Sequence, residues 1–325
     1  MPTTRILSAE EMLMFTPYRW DPTGAETYSN ANGSQVLKQD AASFSLTANA
    51  TAGIDAPGET LVLRTVSFGR IQWDGVALIY AGTFQIDCSR DGSDFYLGNK
   101  DGKGSGVLAV ENQGRFEVLR PGRVLLNGKL LRLQDNGEMT IAGCGDGIFM
   151  VDDISIENNA RLQLSTNKLV TMAEDSTDSF LVTGNALLNI SVDTEFHVNV
   201  SVADNGRAFV YVGNVEFNQG CSFTLAGNSE VFVGGQSSSP TVLSHSSPVG
   251  AGGFNFITKG GNTSVLILDA MMGDPNGNIP LTTPASANLL VLFDMLLIDG
   301  IAAKDINKFN VDLDSSPGQM LISLK

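Results

Sequence analysis

The sequence predicts an all-β fold, a right-handed parallel β-helix (a β-solenoid), with a short helical segment before it and an atypical cap after it. Three observations predict this fold. A short pattern recurs between residues 111 and 257, each copy begins with turn residues, and each turn is followed by an alternation of apolar and polar residues.

The recurring unit is too short for a strand–helix–strand crossover, which needs about 30 residues. Successive copies begin 20 to 26 residues apart, most often 23. Such a unit accommodates two or three short strands, each paired in parallel with the next coil about 4.8 Å away. The first inward residue of each copy is predicted at Phe116, Met139, Leu162, Leu188, Ala208, Val231 and Phe254.

The outward position before each inward residue carries charge in the first copies. Arg115, Glu138 and Arg161 occupy it in turn. If the register is right, they form an outer ladder of alternating sign, in which each neighbouring pair contributes roughly 0.2–1 kcal/mol.

The elements fall into three regions. Residues 1–59 are predicted to form a cap or docking segment, with a short helix that begins at the capping-box pattern of residues 8–11. Residues 60–257 are predicted to form the solenoid, with a protruding loop at 89–106 around one strand. Residues 258–325 are predicted to form a β cap or an oligomerisation region, in which 289–293 is expected to be a strand.

Composition limits the classes of partner and compartment. The net charge is −15, and an acidic surface repels phosphate backbones and anionic lipids, so neither nucleic acid nor membrane is an expected partner. The three cysteines lack metal-ligand spacing and are expected to be reduced core residues. No signal peptide is visible in the first residues, and the apolar run 289–298 is too short to span a membrane.

Carbohydrate cleavage is the only enzymatic chemistry with candidate residues. A glycoside hydrolase needs two carboxyl groups about 5–9 Å apart, and Asp193 and Glu195, two apart on one predicted strand, would share a face at about 7 Å. Asp175, in an acidic loop with Glu174 and Asp178, completes the candidate set, and Asp152 with Asp153 is a further pair. Chance pairing among 35 acidic residues is the simpler reading, so no enzymatic activity is predicted.

No cofactor is predicted, although two segments carry oxygen ligands. Asp274, Asn276 and Asn278 alternate as in calcium loops, but the chain lacks the bidentate glutamate that such loops place further on. A lyase would need a calcium-binding acidic cluster with a basic residue nearby. That description fits Asp87, Asp91 and Asp94 with Arg90 and Lys100.

Aromatic residues provide the candidates for protein contact. Phe209 and Phe232 are predicted at outward positions one coil apart, where they contact either another copy or a loop of the same chain. Phe15, Tyr18 and Trp20 form a dense group near the N-terminus. They cover the first coil, attach the protein to a larger assembly, or do both.

The chain resembles the β-helical virion proteins of tailed phages, such as spikes and decoration proteins, and also the passenger domains of autotransporter adhesins. The resemblance rests on the coil pattern from Gly114 to Phe256, the helical N-terminal segment and the absence of a visible export signal. It is a match of architecture that carries over no functional residue.

The resemblance implies a structural or attachment protein on the virion surface, assembled in the host cytoplasm. Its expected partners are its own copies, as a homotrimer, other virion proteins and optionally a host surface glycan. The alternatives are a polysaccharide-degrading tailspike enzyme, either a glycoside hydrolase or a lyase, and a bacterial surface adhesin.

Overall fold

The computed structural model describes residues 25–29, 33, 35–39, 45–46, 51–65, 68–89, 92–98, 106–172, 178–217, 220–236, 239–245, 252–274, 276–314 and 318–325. The predicted N-terminal helix and the aromatic residues Phe15, Tyr18 and Trp20 lie outside this range. Most of the described residues are in short strands, and no helix among them is long and apolar enough to cross a membrane.

The regular elements, in chain order, are β1 (Ala25–Ser29), β2 (Gln35–Gln39), β3 (Ser45–Leu46), β4 (Thr51–Thr65), β5 (Arg70–Trp73), β6 (Val76–Asp87), β7 (Asp94–Leu97), β8 (Val107–Leu119), β9 (Arg123–Leu126), β10 (Leu130–Leu133), β11 (Glu138–Cys144), β12 (Gly147–Met150), β13 (Ile154–Ile156), β14 (Arg161–Thr171), β15 (Ser179–Val182), β16 (Leu187–His197), β17 (Asn199–Val202), β18 (Arg207–Val212), β19 (Asn214–Phe217), β20 (Phe223–Leu225), β21 (Glu230–Gly234), β22 (Thr241–His245), β23 (Phe254–Phe256), β24 (Val265–Met272), β25 (Ile279–Pro280), α1 (Asn288–Leu292), β26 (Leu296–Ile298), β27 (Ile301–Ala302), β28 (Phe309–Asp314) and β29 (Gln319–Leu324).

The strands form three parallel ladders, and the chain visits each ladder once per coil. The first ladder runs from β1 through the first halves of β4, β6 and β8, then through β10, β13, β15, β17, β20 and β23 to β26. The second runs from β2 through the second halves of β4, β6 and β8, then through β11, β14, β16, β18 and β21 to β24. The third runs from β3 through β5, β7, β9 and β12 to the second halves of β14 and β16, and after it β19, β22 and the end of β24 stack in parallel on the same side. This is the predicted β-solenoid.

The core lies between the ladders and is built from columns of equivalent residues. The predicted inward column is confirmed from Phe116 to Val231, and each of its members is at most 1% exposed. Its next member is Leu266, so the prediction of Phe254 is wrong. Phe254 pairs with Phe223 in the first ladder. Phe254 lies 23 residues after Val231, a distance that happens to equal the repeat length. The true next member of the column comes later in the chain, because a long excursion separates β21 from β24.

Tight corners between the first and second ladders explain the turn residues of the pattern. The corner residue of successive coils has a positive φ, which asparagine, aspartate and glycine adopt more readily than other residues. The residues in this position are Asn112, Asp135, Asn158, Gly184, Asp204 and Gly227, with φ between 52° and 69°.

Two predictions for the N-terminal half need correction. The predicted boundary at residue 60 falls inside β4, which pairs in parallel with both β1 and β2. The strand predicted within a protruding loop at 89–106 is β7, a member of the third ladder, in which Phe95 and Leu97 are fully buried. The stacked coils therefore begin earlier and are more regular than the sequence pattern indicated.

The segment predicted as a strand at 289–293 is the helix α1 instead. Thr283 and Ser286 exchange hydrogen bonds between backbone N–H groups and side-chain oxygens, each at 3.1 Å, and Pro284 follows Thr283. These bonds close a turn ahead of α1, whose own N-cap, Ala287, makes no side-chain hydrogen bond. The helix buries Leu290 at the end of the core. A short helix with one buried face therefore accommodates this apolar run, and no strand is needed.

All three ladders end in antiparallel strands, which form the expected atypical C-terminal cap. In the first ladder, β26 pairs with β27. In the second, β24 pairs with β29, which pairs in turn with β28. In the third, β24 pairs with β25. The cysteines Cys88, Cys144 and Cys221 are buried in the core, as predicted.

Candidate functional site

One concave feature of the described surface is a groove at the corner between the first and second ladders. It has a volume of about 560 Å³ and crosses four successive coils. Its lining, which defines the edge groove, consists of residues 57–59 and 81–83 together with Gln113, Arg115, Asn136 and Glu138.

An irregularity in β4 creates the edge groove. The register between β4 and β6 shifts between Asp55 and Thr60, so the chain between them bulges out at this corner. The bulge contains Pro57-Gly58, and Gly58 has a φ of +81°. It packs tightly on the next coil, because a Cβ on Gly82 would lie 2.2 Å from the carbonyl oxygen of Ala56. The wider coil forms one wall of the groove.

The lining is polar and contains both signs of charge. Arg115 Nε and Glu138 Oε2 form an ion pair at 3.1 Å, which confirms the first step of the predicted charge ladder. Glu59 and Thr83 add a carboxylate and a hydroxyl group. The groove therefore offers donors and acceptors along its length without a strong net charge.

Two side-chain carboxamides in the edge groove are available to form hydrogen bonds with a ligand. Gln113 and Asn136 are the first members of a column of exposed carboxamides, one per coil, at the corner. Within the described residues, the side chains of these two make no hydrogen bond to the protein. Higher in the column, Asn185 donates to Asn159 at 3.3 Å. The remaining members, Asn205 and Asn228, are also bonded to each other.

Two of the carboxylates first proposed for catalysis lie in an irregular part of β16. Asp193 and Glu195 are both exposed and lie where β16 passes from the second ladder to the third, at a shift in register. They are therefore not successive outward residues of one regular strand. Glu195 Oε2 lies 3.7 Å from Lys168 Nζ. Asp175 lies outside the described residues, so its place relative to them stays a prediction.

A different acidic cluster is brought together by stacking. The turn that holds Asp152 and Asp153 lies one coil away from Asp178, which precedes β15. Burial by neighbouring atoms raises the pKa of Asp152, and the carboxylates of Asp178 and Asp153 raise it further. Asp153 has a structural partner, since its Oδ1 accepts from the backbone N–H of Ser179 at 2.7 Å.

The acidic residues proposed for a calcium-dependent lyase have separate structural partners. Arg64 Nε donates to Asp87 Oδ2 at 2.8 Å. Burial would raise the pKa of Asp87, but hydrogen bonds from Ser89 and Arg64 outweigh it and lower that pKa. Asp94 Oδ1 accepts from the backbone N–H of Arg123 at 3.0 Å. Asp91, Arg90 and Lys100 lie outside the described residues.

The calcium-like segment forms a turn that uses its first carboxylate. Asp274 Oδ1 accepts from the backbone N–H of Asn276 at 2.7 Å, and the carbonyl of Asp274 accepts from Gly277. Asn278 is exposed beyond this turn. Within the described ranges, no group of three or more histidine, cysteine, aspartate or glutamate side chains is placed to hold a metal ion.

The outward aromatic pair on the second ladder exists as predicted. Phe209 and Phe232 are register neighbours with ring centroids 6.3 Å apart. Tyr211 joins them at 5.2 Å from Phe232. The Phe232 ring lies over Gly234, because a Cβ at that position would come within 2.4 Å of the ring. The chain itself thus covers Phe232, which is 9% exposed, and leaves Phe209 half-buried.

Sequence reasoning missed the edge groove, although a signal for it was present. The Pro57-Gly58 pair marks a turn within an otherwise strand-like stretch.

No protein-family model, curated protein sequence or solved structure matches the chain.

Proposed function

We propose that the chain is a non-enzymatic structural or attachment protein of a virus particle, in which the rod serves as a spike or a surface decoration. The observation that carries this proposal is the stack of parallel ladders, closed at its C-terminal end by antiparallel strands. Each coil of a solenoid contacts only its neighbours, so lengthening the stack extends a stiff surface. A sealed rod of this kind suits a part that projects from a larger assembly.

The proposed assembly is a homotrimer that joins other virion proteins. The half-buried Phe209 and Tyr211 on the second ladder support a side-by-side contact, because aromatic residues are enriched in the cores of protein interfaces. The net charge of −15 disfavours close approach between copies, except where apolar or oppositely charged groups meet.

The first test is the mass of the native protein in solution, measured by light scattering after size-exclusion chromatography. A trimer has three times the 34.4 kDa mass of the chain, and the proposal predicts that mass. Mass spectrometry of purified particles from the virus that encodes the chain then has to detect its peptides. A monomer contradicts the proposed trimer, and particles without those peptides contradict the virion role.

A polysaccharide-cleaving enzyme is the second candidate, because the pKa of Asp152 is raised. A hydrolase needs one carboxyl group that holds its proton beside one that is ionised. The test is the chain length of bacterial polysaccharides after incubation with the protein. Shortening that is lost in Asp152→Asn supports the enzyme, and intact polysaccharides support the non-enzymatic role.

A further inference from the structure

The edge groove has the dimensions of a ligand site. Its volume of about 560 Å³ lies within the range of about 300–1,000 Å³ that is usual for such sites. It crosses four coils, which at about 4.8 Å per coil gives roughly 14 Å along the stack. An extended chain-like ligand fits this shape better than a compact one.

The chemistry of the lining matches a ligand with many hydroxyl groups. A carboxamide both donates and accepts hydrogen bonds, as a sugar hydroxyl does, and Gln113 and Asn136 present two carboxamides in succession. Thr83 adds a hydroxyl group, and the paired Arg115 and Glu138 add a charged donor and acceptor. Polar groups spaced along a groove can thus bind successive units of an oligosaccharide.

The position of the unused carboxamides singles out the groove within the column. Asn159 and Asn185 are bonded to each other, as are Asn205 and Asn228. A column that served only to stabilise the corners would use its first two members in the same way. Among the described residues, the members without such a bond are the two that line the groove.

An exposed aromatic residue directly precedes the groove wall in the chain. Tyr80 is 37% exposed and directly precedes Ala81 in the groove wall. An exposed aromatic ring offers an apolar face for the C–H face of a sugar and a hydroxyl group for its polar edge. Glu59 and Glu138 disfavour a polyphosphate ligand, and Arg115 disfavours a bare cation.

We propose that the edge groove binds a neutral carbohydrate chain, with Gln113 and Asn136 as its hydrogen-bonding residues and Tyr80 as a stacking residue. This inference rests on the proposed attachment role and gives it a ligand class. The carbohydrate is recognised along the side of the rod, over four successive coils.

The experiment uses the full-length protein and an array of neutral bacterial surface glycans, followed by calorimetry with the strongest binder. We expect Gln113→Ala combined with Asn136→Ala to weaken binding by about tenfold or more, since each carboxamide loses a hydrogen bond to the ligand. Tyr80→Ala should also weaken it. The matched control is Asn159→Ala, which removes an exposed carboxamide from the same column outside the groove and should leave the affinity unchanged.

Two outcomes overturn the proposal. One is the absence of binding to every neutral glycan on the array. The other is equal binding by the double variant and the control, with circular dichroism confirming that both are folded. The attachment role is tested separately, because peptides found in purified particles support that role even when no glycan binds. A glycan-binding protein absent from particles would contradict only the virion role.

Discussion

Replacing Phe116 with alanine should cost more stability than removing the same atoms from the outside of the rod. Phe116 is 1% exposed, and its ring centroid lies 5.6 Å from that of Phe84 and 5.7 Å from that of Phe95. We expect Phe116→Ala to lower the free energy of unfolding by about 3–5 kcal/mol. The upper half of that range is favoured, because two aromatic pairs contribute about 0.5–1.5 kcal/mol each beyond burial.

The cavity left by Phe116 has little freedom to collapse. Phe84 and Met139 lie directly below and above it in the same column, and parallel strand pairing fixes both backbones. The control is Phe209→Ala, which removes the same atoms from the outward face of the same ladder. Phe209 is half-buried with one ring partner, so a loss of about 1 kcal/mol is expected there.

The assay is urea unfolding followed by far-UV circular dichroism, with hydrogen exchange to locate the damage. Because each coil contacts only its neighbours, exchange in Phe116→Ala should rise first in β6, β8 and β11. Equal losses for the two variants would refute the assignment of inner and outer faces. A loss below about 1 kcal/mol for Phe116→Ala would refute the argument that the core is tightly packed.

Three further perturbations test an ion pair, a glycine turn and a buried thiol. Asp87→Asn should destabilise the protein by about 1–2 kcal/mol at pH 7 by weakening the hydrogen bond to Arg64. Because the pKa of Asp87 is lowered on folding, the stability that its carboxylate contributes is present above about pH 4 and is lost below that pH. The urea midpoints of variant and wild type should therefore converge in acid. Gly98→Ala should lower the melting temperature far more than Gly260→Ala: both have positive φ, but only the Cβ at 98 would meet a backbone oxygen, at 1.7 Å, whereas 260 faces open space. Burial raises the pKa of Cys221 to about 12, so iodoacetamide at pH 8 should modify it only when the protein unfolds, and rapid labelling of the native state would contradict its position.

The parts of the fold that sequence could predict are those that two independent signals specify. At the corners, residues such as Asn112, Asp135 and Asn158 tolerate positive φ, and the following residues alternate between core and solvent. Together these signals set both the turn and the face of each strand. The register of the second ladder from Phe116 to Val231 was therefore predictable.

The errors occur where only one signal was present. The strand at Phe254 has the right alternation and spacing, but nothing local says which ladder it joins. The run from Asn288 to Leu292 is apolar and short, and periodicity cannot distinguish a buried strand from a buried helix at that length.

The candidate site was less predictable than the fold, because it depends on relations between coils. The edge groove arises from a bulge in one coil that overlies shorter corners in the next, as the contact of Ala56 with Gly82 indicates. Likewise, Asp178 comes near Asp152 only through the stacking of β15 on β13. A linear sequence lists such residues in separate places, and only the register places them together.

The cap limits how copies of the rod can assemble. A parallel ladder can accept another coil, but an antiparallel strand changes the hydrogen-bond pattern that a further coil would have to match. At the end of the second ladder, β28 also exposes Asp312 and Asp314, and charged edge strands resist pairing with another chain. Copies are therefore disfavoured from stacking through their C-terminal ends. The proposed assembly would then use the side faces or the N-terminal end, and the edge groove, at one corner of the rod, would stay open if another face were used.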